Sequence, residues 1–319
     1  MRARLFGLAL LATAWSTTCS RSVVPPPPLA VVRLTAGTPG AGFHPLGLAL
    51  QRAYSRVLPS VTVTVRESPG AVSNLENLRR GDADIGFAFA DVAYMAYTGQ
   101  LEEMDGRFEG LRAIAVLQLT PLHLVVRSGL EVRALTDLRG RRVAVGPQGS
   151  GTALTSSIVA QAFGLEPADM QVERLPFSEA GRRLAEGTID AGFFDVSYPA
   201  ESVAFATRAG AHLVPIDGPA VPALRHAYPF LRLTFLPGGT YPGHPRRVAT
   251  LGIDSVLVSR AGLSDDLVYA LTKGLLESLP GISSERASLR DMEVRQAPAT
   301  SVPLHAGAAR YYRERELTR

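Results

Sequence analysis

The chain has 319 residues, of which 46% are hydrophobic and 19% are charged, and its net charge is +4. This length and apolar content are enough for one large domain or two medium ones with buried cores. The basic residues form no run of five or six, the pattern typical of a nucleic-acid-binding arm, so we expect no nucleic-acid partner.

The N-terminal segment has the pattern of an export signal. Arg2 and Arg4 precede an apolar run over residues 5–15, which has the length of a signal-peptide core and is too short to cross a bilayer. Cys19, the single cysteine, follows this run and is predicted to carry a lipid after cleavage; the alternative is an ordinary cleaved signal with an incidental cysteine. We therefore assign residues 1–29 to a signal peptide or lipid anchor with a polyproline spacer. The protein is expected in the periplasm or cell envelope, with membrane contact through that anchor alone.

The rest of the chain contains an internal repeat. The stretches GDADIGF (81–87) and GTIDAGF (187–193) share the pattern Gly-x-x-Asp-x-Gly-Phe. A strand and a glycine loop precede each of them, at 31–42 and at 142–151, and both halves run strand, glycine loop, helix, strand, helix, strand. Alternating strands and helices form parallel sheets that are covered by helices. The repeat therefore predicts two α/β lobes.

Two apolar, β-rich segments are long enough to run from one lobe to the other: 111–127 and 248–260. Two crossings make a hinge, and a hinged pair of lobes makes a clamp. We predict that lobe 1 comprises residues 30–118 plus 250–319 and that lobe 2 comprises residues 119–249.

The glycine loop of the second repeat, GPQGSGT (146–152), has the spacing of a phosphate-binding loop but lacks its lysine, because Thr152 follows Gly151 directly. Free N–H groups at the start of the following helix favour negative charge. The hydroxyls of Ser150 and Thr152 add donors. The loop therefore predicts a site for a carboxylate without a metal; the alternative is a strand–helix turn with a Ser/Thr cap.

The sequence offers little for catalysis. The repeated Asp84 and Asp190 are expected to bond backbone groups near strand starts rather than to act as an acid and a base. No Gly-x-Ser-x-Gly motif is present. His244 and His305 have no cysteine or carboxylate at metal-ligand spacing. We expect no catalytic residue, no metal and no cofactor, and a protein that is not an enzyme.

Motifs along the chain resemble the TAXI family of TRAP-transporter solute receptors. They are SGT within GPQGSGT, DAGFFDVSYPAE (190–201), LPGGTYPG (236–243), LSDDLVYALTKGLL (263–276) and PLHAGAARYYRE (303–314). The resemblance runs from about Val31 to Glu314. It implies a type II periplasmic binding-protein fold that captures a small molecule, often glutamate or a related dicarboxylate, and delivers it to a sodium-driven TRAP permease.

The glycine loops and the resemblance together indicate ligand-binding residues in both lobes. They are Thr38, Gly42, Phe43, His44, Asn74, Phe89 and Asp91 in lobe 1, and Ser150, Gly151, Thr152, Asp195, Tyr198 and Tyr241 in lobe 2. Some match the family pattern and others depart from it.

The departures lie mostly in lobe 1. The positions where the family has a hydroxyl or an amide group that this chain lacks are Phe43, His44, Ala71, Phe89 and Ala90. In lobe 2, Asp195 replaces an apolar residue. We therefore predict a ligand with a carboxylate at Ser150–Thr152 and a more apolar body against Phe43 and Phe89. Its ammonium or hydroxyl group would meet Asp195 or Asp91.

The leading functional interpretation is an extracytoplasmic receptor whose lobes close on a small carboxylate-bearing molecule, an amino acid or organic acid, and then dock on TRAP permease membrane subunits. One alternative is a receptor of the same fold that serves an ABC importer or a sensor kinase. Another is a degenerate lipoprotein without a ligand, which the lost polarity of lobe 1 motivates. An enzyme of this fold would need a cofactor-bearing cysteine or a histidine-rich site, and neither is present after Cys19.

Overall fold

The computed structural model describes residues 30–39, 41–285, 289 and 292–317; the predicted signal peptide, Cys19 and the polyproline spacer lie outside the described residues. The strands are β1 (Ala30–Thr35), β2 (Val61–Arg66), β3 (Ile85–Phe89), β4 (Leu111–Val126), β5 (Arg142–Ala144), β6 (Gln171–Glu173), β7 (Ala191–Asp195), β8 (His212–Val214), β9 (Arg232–Leu236) and β10 (Val248–Arg260). The α-helices are α1 (Phe43–Val57), α2 (Ala71–Arg80), α3 (Ala90–Thr98), α4 (Gly151–Ala162), α5 (Phe177–Ala185), α6 (Glu201–Arg208), α7 (Ala220–Ala227), α8 (Asp265–Glu285) and α9 (Ala306–Glu314). Short 3-10 helices cover Leu135–Leu138, Pro167–Asp169 and Val294–Gln296.

The sheet repeats the same local topology twice. In the first half, β1 lies parallel between β2 and β3. In the second half, β5 lies parallel between β6 and β7. Each trio is built in the order that the sequence repeat predicts, with helices connecting the parallel strands. The expected α/β fold of two lobes joined by two crossing strands is confirmed.

The crossing strands β4 and β10 run antiparallel to their neighbours, which the sequence analysis did not anticipate. β4 pairs with β10 as far as Pro121 and with β7 from Leu122 onward. With 16 residues it spans roughly 50 Å, enough to belong to both lobes. β10 lies between β3 and β4 and is antiparallel to both. It therefore runs in the direction opposite to that of the parallel strands β1, β2 and β3. The residue boundaries of the lobes, 118/119 and 249/250, stay a prediction.

The buried apolar side chains form one cluster in each lobe and a third that both lobes share. On α1, Leu46, Leu50 and Tyr54 recur every four residues, so one helix face packs into the lobe 1 cluster with α8 and α9. α5 and α6 cover a separate cluster in lobe 2. The third cluster includes Leu75 of α2 and Phe193 of β7. The lobes therefore touch through packed side chains as well as through the crossing strands.

The repeated aspartates tie together the strands of their own lobes. Asp84 accepts a hydrogen bond from the N–H group of Arg33 at 2.9 Å, and the guanidinium groups of Arg33 and Arg260 donate to the same carboxylate. Asp190 repeats this arrangement with the N–H group of Arg142 at 3.0 Å and two guanidinium groups. Burial alone would raise the pKa of Asp84, but its hydrogen bonds with Arg33 and Arg260 lower that pKa to about 2. The predicted structural role of both aspartates is confirmed.

Replacing Asp84 by asparagine should lower the free energy of unfolding by about 2 kcal/mol at neutral pH, because charge-assisted hydrogen bonds are lost. Since the folded pKa of Asp84 is about 2 and lies below the unfolded value, its stabilisation is present above that unfolded value and is lost as the pH falls. Urea unfolding should therefore show a larger difference between wild type and Asp84→Asn at neutral pH than at about pH 3.

The matched control for this substitution is Asp82→Asn, because Asp82 is exposed and pairs only at the surface, with Arg80. Exposed ion pairs contribute little to stability, so the control should unfold like the wild type. An Asp84→Asn variant as stable as this control would show that the aspartate does not hold the strands together.

Candidate functional site

A small cavity of about 40 Å³ lies where the two lobes meet. It opens at the carboxyl ends of β3 and β7, the edge at which open α/β sheets bind ligands. Eight of the predicted ligand-binding residues line it: Thr38, Gly42, Phe43, Phe89, Ser150, Gly151, Thr152 and Asp195. Residues of both repeats therefore meet in one place, although Phe89 and Asp195, for example, are 106 positions apart in the sequence.

The five other predicted residues do not line this cavity. His44 lies in the first turn of α1, and Asp91 lies in the first turn of α3. Tyr198 lines a larger neighbouring cavity instead. Asn74 and Tyr241 are buried, and their polar groups are used within the protein.

The buried Asn74 holds the first glycine loop in place. Its amide group donates to the carbonyl oxygens of Ala36 and Phe87. Its side-chain oxygen accepts from the hydroxyls of Thr35 and Ser68, each at 2.6 Å. All four hydrogen bonds of the amide group are made to residues of the loops and the strand ends. Asn74 therefore supports the wall of the cavity rather than lining it.

Tyr241 plays a similar supporting role in lobe 2. Its hydroxyl lies 3.0 Å from Nε2 of His123 and accepts from the N–H group of Ala200 at 2.9 Å. Burial lowers the pKa of His123 to about 4, so this imidazole is neutral at physiological pH. The contact with Ala200 fixes the segment that begins with Tyr198 and Pro199. Tyr241 therefore has a structural role in lobe 2.

The larger neighbouring cavity has a volume of about 720 Å³. Gln118 and Ser197 line both cavities, and Nε2 of Gln118 donates to Oγ of Ser197 where the two cavities meet. Arg232 and Asp254 form an ion pair at 2.8 Å in the wall of the larger cavity. Gln118 was not among the predicted site residues, although it is one of four polar residues in the largely apolar strand β4.

The second glycine loop places the start of α4 at the cavity. Gly146 and Gly149 adopt positive φ angles of 86° and 77°, which glycine adopts without strain. Oγ of Ser150 caps the helix by accepting from the N–H group of Ala153 at 3.2 Å. The hydroxyl of Thr152 accepts from the N–H group of Asp195 at 3.3 Å. Each hydroxyl keeps its hydrogen for a further acceptor.

The same loop brings the lobes into backbone contact. The carbonyl oxygen of Gly149 accepts from the N–H group of Ser73 in lobe 1 at 3.1 Å. A Cβ atom added at Gly151 would overlap the ring of Phe89 in lobe 1. Glycine at this position therefore allows the close approach of the lobes that defines the cavity.

The lobe 1 wall of the cavity is aromatic. The ring of Phe43 lies 5.1 Å from that of Phe89 and 5.3 Å from that of Phe87. Such separations are typical of favourable aromatic pairs. The rings pack against one another and make this wall apolar.

Two acidic side chains are buried beside this wall. Asp195 is 5% exposed and Asp91 is 3% exposed. Burial raises the pKa of both carboxyl groups, and the charge of Asp91 raises the pKa of Asp195 further. Asp91 accepts a hydrogen bond from the N–H group of Val92 at 2.6 Å.

Within the described part of the chain, no helix combines the length and the apolar character that crossing a membrane requires. Among the same residues, no group of three or more histidine, cysteine, aspartate or glutamate side chains is placed to hold a metal ion.

Two α/β lobes that meet at a cavity beside their strand ends form a type II periplasmic binding-protein fold. The chain belongs to the NMT1-like family, whose model matches residues 34–315.

Solved structures share this fold at low sequence identity. The alkanesulfonate-binding protein SsuA from Xanthomonas axonopodis pv. citri, bound to MOPS, is 19% identical with a TM-score of 0.50, covering 90% of this chain and 84% of its own. An ancestral arginine-binding protein bound to arginine is 20% identical with a TM-score of 0.51, covering 80% and 97%. A histidine kinase sensor domain with similarity to periplasmic binding proteins is 17% identical with a TM-score of 0.50, covering 82% and 96%.

Replacing Gly151 by alanine should destabilise the protein by about 1–3 kcal/mol, because the new methyl group collides with a packed ring. Alanine is the better helix former, so any loss must come from the contact between lobes. In urea unfolding, Gly151→Ala should lower the free energy of unfolding by this amount in the wild type and by much less when Phe89 is already alanine.

The control is Gly262→Ala, because an added Cβ at this exposed glycine meets nothing within 4 Å. It should leave the unfolding midpoint almost unchanged. A Gly151→Ala variant that is as stable as the wild type would mean that the lobes are apart in solution.

Proposed function

We propose that this protein is an extracytoplasmic solute receptor without catalytic activity. It captures a small carboxylate-bearing molecule, an amino acid or organic acid, between its lobes and delivers it to a TRAP-type membrane permease. The observation that carries this proposal is the cavity at the lobe junction, to which the start of α4 and the ends of β3 and β7 contribute.

The start of α4 supports a carboxylate ligand. The N–H groups in the first turn of a helix have no acceptor within the helix and attract anions. The hydroxyls of Ser150 and Thr152 keep their hydrogens and face the same cavity. Three or four hydrogen bonds to a charged group, at about 1.5–3 kcal/mol each, would supply the roughly 8 kcal/mol of a micromolar complex before ordering costs. A singly charged carboxylate therefore needs no lysine in this loop.

The opposite character of lobe 1 supports an apolar portion in the ligand. Phe43 and Phe89 present rings to the cavity where the TAXI pattern has polar groups. Apolar contact with these rings favours a hydrocarbon body over a second carboxylate. The resemblance to TAXI receptors favours a TRAP permease as the membrane partner, and the signal-like residues 1–29 favour export with Cys19 as a lipid anchor.

A receptor for an ABC importer or a sensor kinase is the second candidate. The similarity to a histidine kinase sensor domain and to an arginine-binding protein favours it. Uptake in membrane vesicles would separate the two candidates: a sodium gradient should drive it for a TRAP permease, whereas ATP should drive it for an ABC importer.

The receptor function predicts that monocarboxylates and amino acids with apolar side chains raise the melting temperature of the purified protein. A ligand at a hundred times its Kd stabilises the folded state by about 2.7 kcal/mol. Differential scanning fluorimetry with matched sets of monocarboxylates, dicarboxylates and amino acids measures this. Native mass spectrometry of freshly purified protein then identifies what it retains.

Two outcomes would contradict this proposal in different ways. Stabilisation by short dicarboxylates alone would rule out the apolar body of the ligand but keep the receptor function. A folded protein that no compound stabilises and that carries no retained ligand would support the degenerate lipoprotein instead.

A further inference from the structure

Asp195 lines the cavity, and the oxygens of its carboxyl group are buried without a donor from the described part of the chain. Among the described residues, neither of its oxygens has a hydrogen-bond partner. The hydroxyl of Thr155 is the nearby candidate, but it donates to the carbonyl oxygen of Gly151 at 3.0 Å. Buried carboxyl groups without donors are strongly unfavourable and rare in folded proteins. A ligand that donates hydrogen bonds to the carboxyl group of Asp195 would supply the missing partners.

A second acceptor in the cavity wall is also free. Gln118 is 7% exposed, and its Nε2 is used in the hydrogen bond to Ser197. Its Oε1 is buried and has no partner among the described residues. Two side chains on different strands, β4 and β7, therefore hold buried, unused acceptors in the wall of the same cavity.

Burial raises the pKa of Asp195 to about 8, so its carboxyl group ionises at neutral pH only when a cation lies in the cavity. Among the described residues that line it, none is an arginine, lysine or histidine. Asp91 adds a second acidic group close enough to affect the ionisation of Asp195. By contrast, the buried Asp84 and Asp190 each have two arginine partners. The missing counter-charge is therefore specific to this cavity and is not a general property of buried acids in this protein.

The volume of the cavity limits what can supply that charge. About 40 Å³ has room for roughly three water-sized groups. An ammonium group is compact and carries three N–H donors, whereas a guanidinium group is larger and planar. Three donors match the two oxygens of Asp195 and Oε1 of Gln118.

We propose that the cavity holds the ammonium group of the ligand, with Asp195 as its counter-ion and Oε1 of Gln118 as a further acceptor. This inference rests on the proposed receptor function and narrows its ligand class. The first turn of α4 offers N–H groups to the carboxylate of the same molecule. The ligand is therefore a zwitterion whose apolar body extends beyond this small cavity, and amine-free organic acids are discriminated against.

Matched probe pairs test this inference on the wild-type protein. Each pair joins an amino acid to the acid that has hydrogen in place of its ammonium group: alanine with propionate, valine with isovalerate, and phenylalanine with hydrocinnamate. Isothermal titration calorimetry should give an affinity about tenfold or more higher for the amino acid of every pair that binds, because the charge-assisted hydrogen bonds are lost in its partner.

The variant Asp195→Asn keeps the shape of the side chain and removes its charge. It should abolish the preference within each pair by weakening the amino acid and leaving the amine-free acid unchanged. The control Asp254→Asn, in the larger cavity, should keep the preference. A merely structural role of Asp195 would instead weaken both members of a pair equally.

The outcomes separate this inference from the receptor function on which it rests. If amine-free acids bind as tightly as their amino partners, or more tightly, the ammonium site is overturned and the receptor function stands. An Asp195→Asn variant that retains the full preference also overturns it. If no probe binds to protein that circular dichroism shows to be folded, the receptor function and the ammonium site both fall.

Discussion

The close approach of the two lobes at the second glycine loop determines the rest of the site. The carbonyl oxygen of Gly149 reaches the N–H group of Ser73, and Gly151 lies against the ring of Phe89. These contacts bring the end of β3, the end of β7 and the start of α4 to one point. The cavity is small because the lobes are this close, and it is polar on one side because α4 begins there.

The two halves of the repeat share the same framework of strands and differ in the last residue of β3 and of β7. Asp84 and Asp190 hold equivalent strands through equivalent arginine contacts. Phe89 and Asp195 each stand eight residues after the first glycine of the repeated motif, and each ends its strand. One supplies an apolar wall and the other a buried acid. The two halves therefore have the same scaffold but different last strand residues, and this difference gives the cavity two chemically different sides.

The local pattern predicted the parallel strands, the connecting helices and the extent of β10, because strand and helix periodicity and glycine loops act over short stretches of sequence. The antiparallel insertion of β4 and β10 was not predictable in this way, since it depends on how the chain returns from the second lobe. The supporting roles of Asn74 and Tyr241 depend on distant partners: His123 lies 118 residues from Tyr241. Gln118 was missed because its neighbours in β4 are apolar and the strand was interpreted only as a crossing.

The most direct test is a crystal structure of the protein with a ligand that binds in solution. The account predicts the ligand between the lobes, with its carboxylate oxygens within hydrogen-bond distance of the N–H groups of Gly151 and Thr152. A ligand bound elsewhere, with residues 149–152 making no contact to it, would contradict the account.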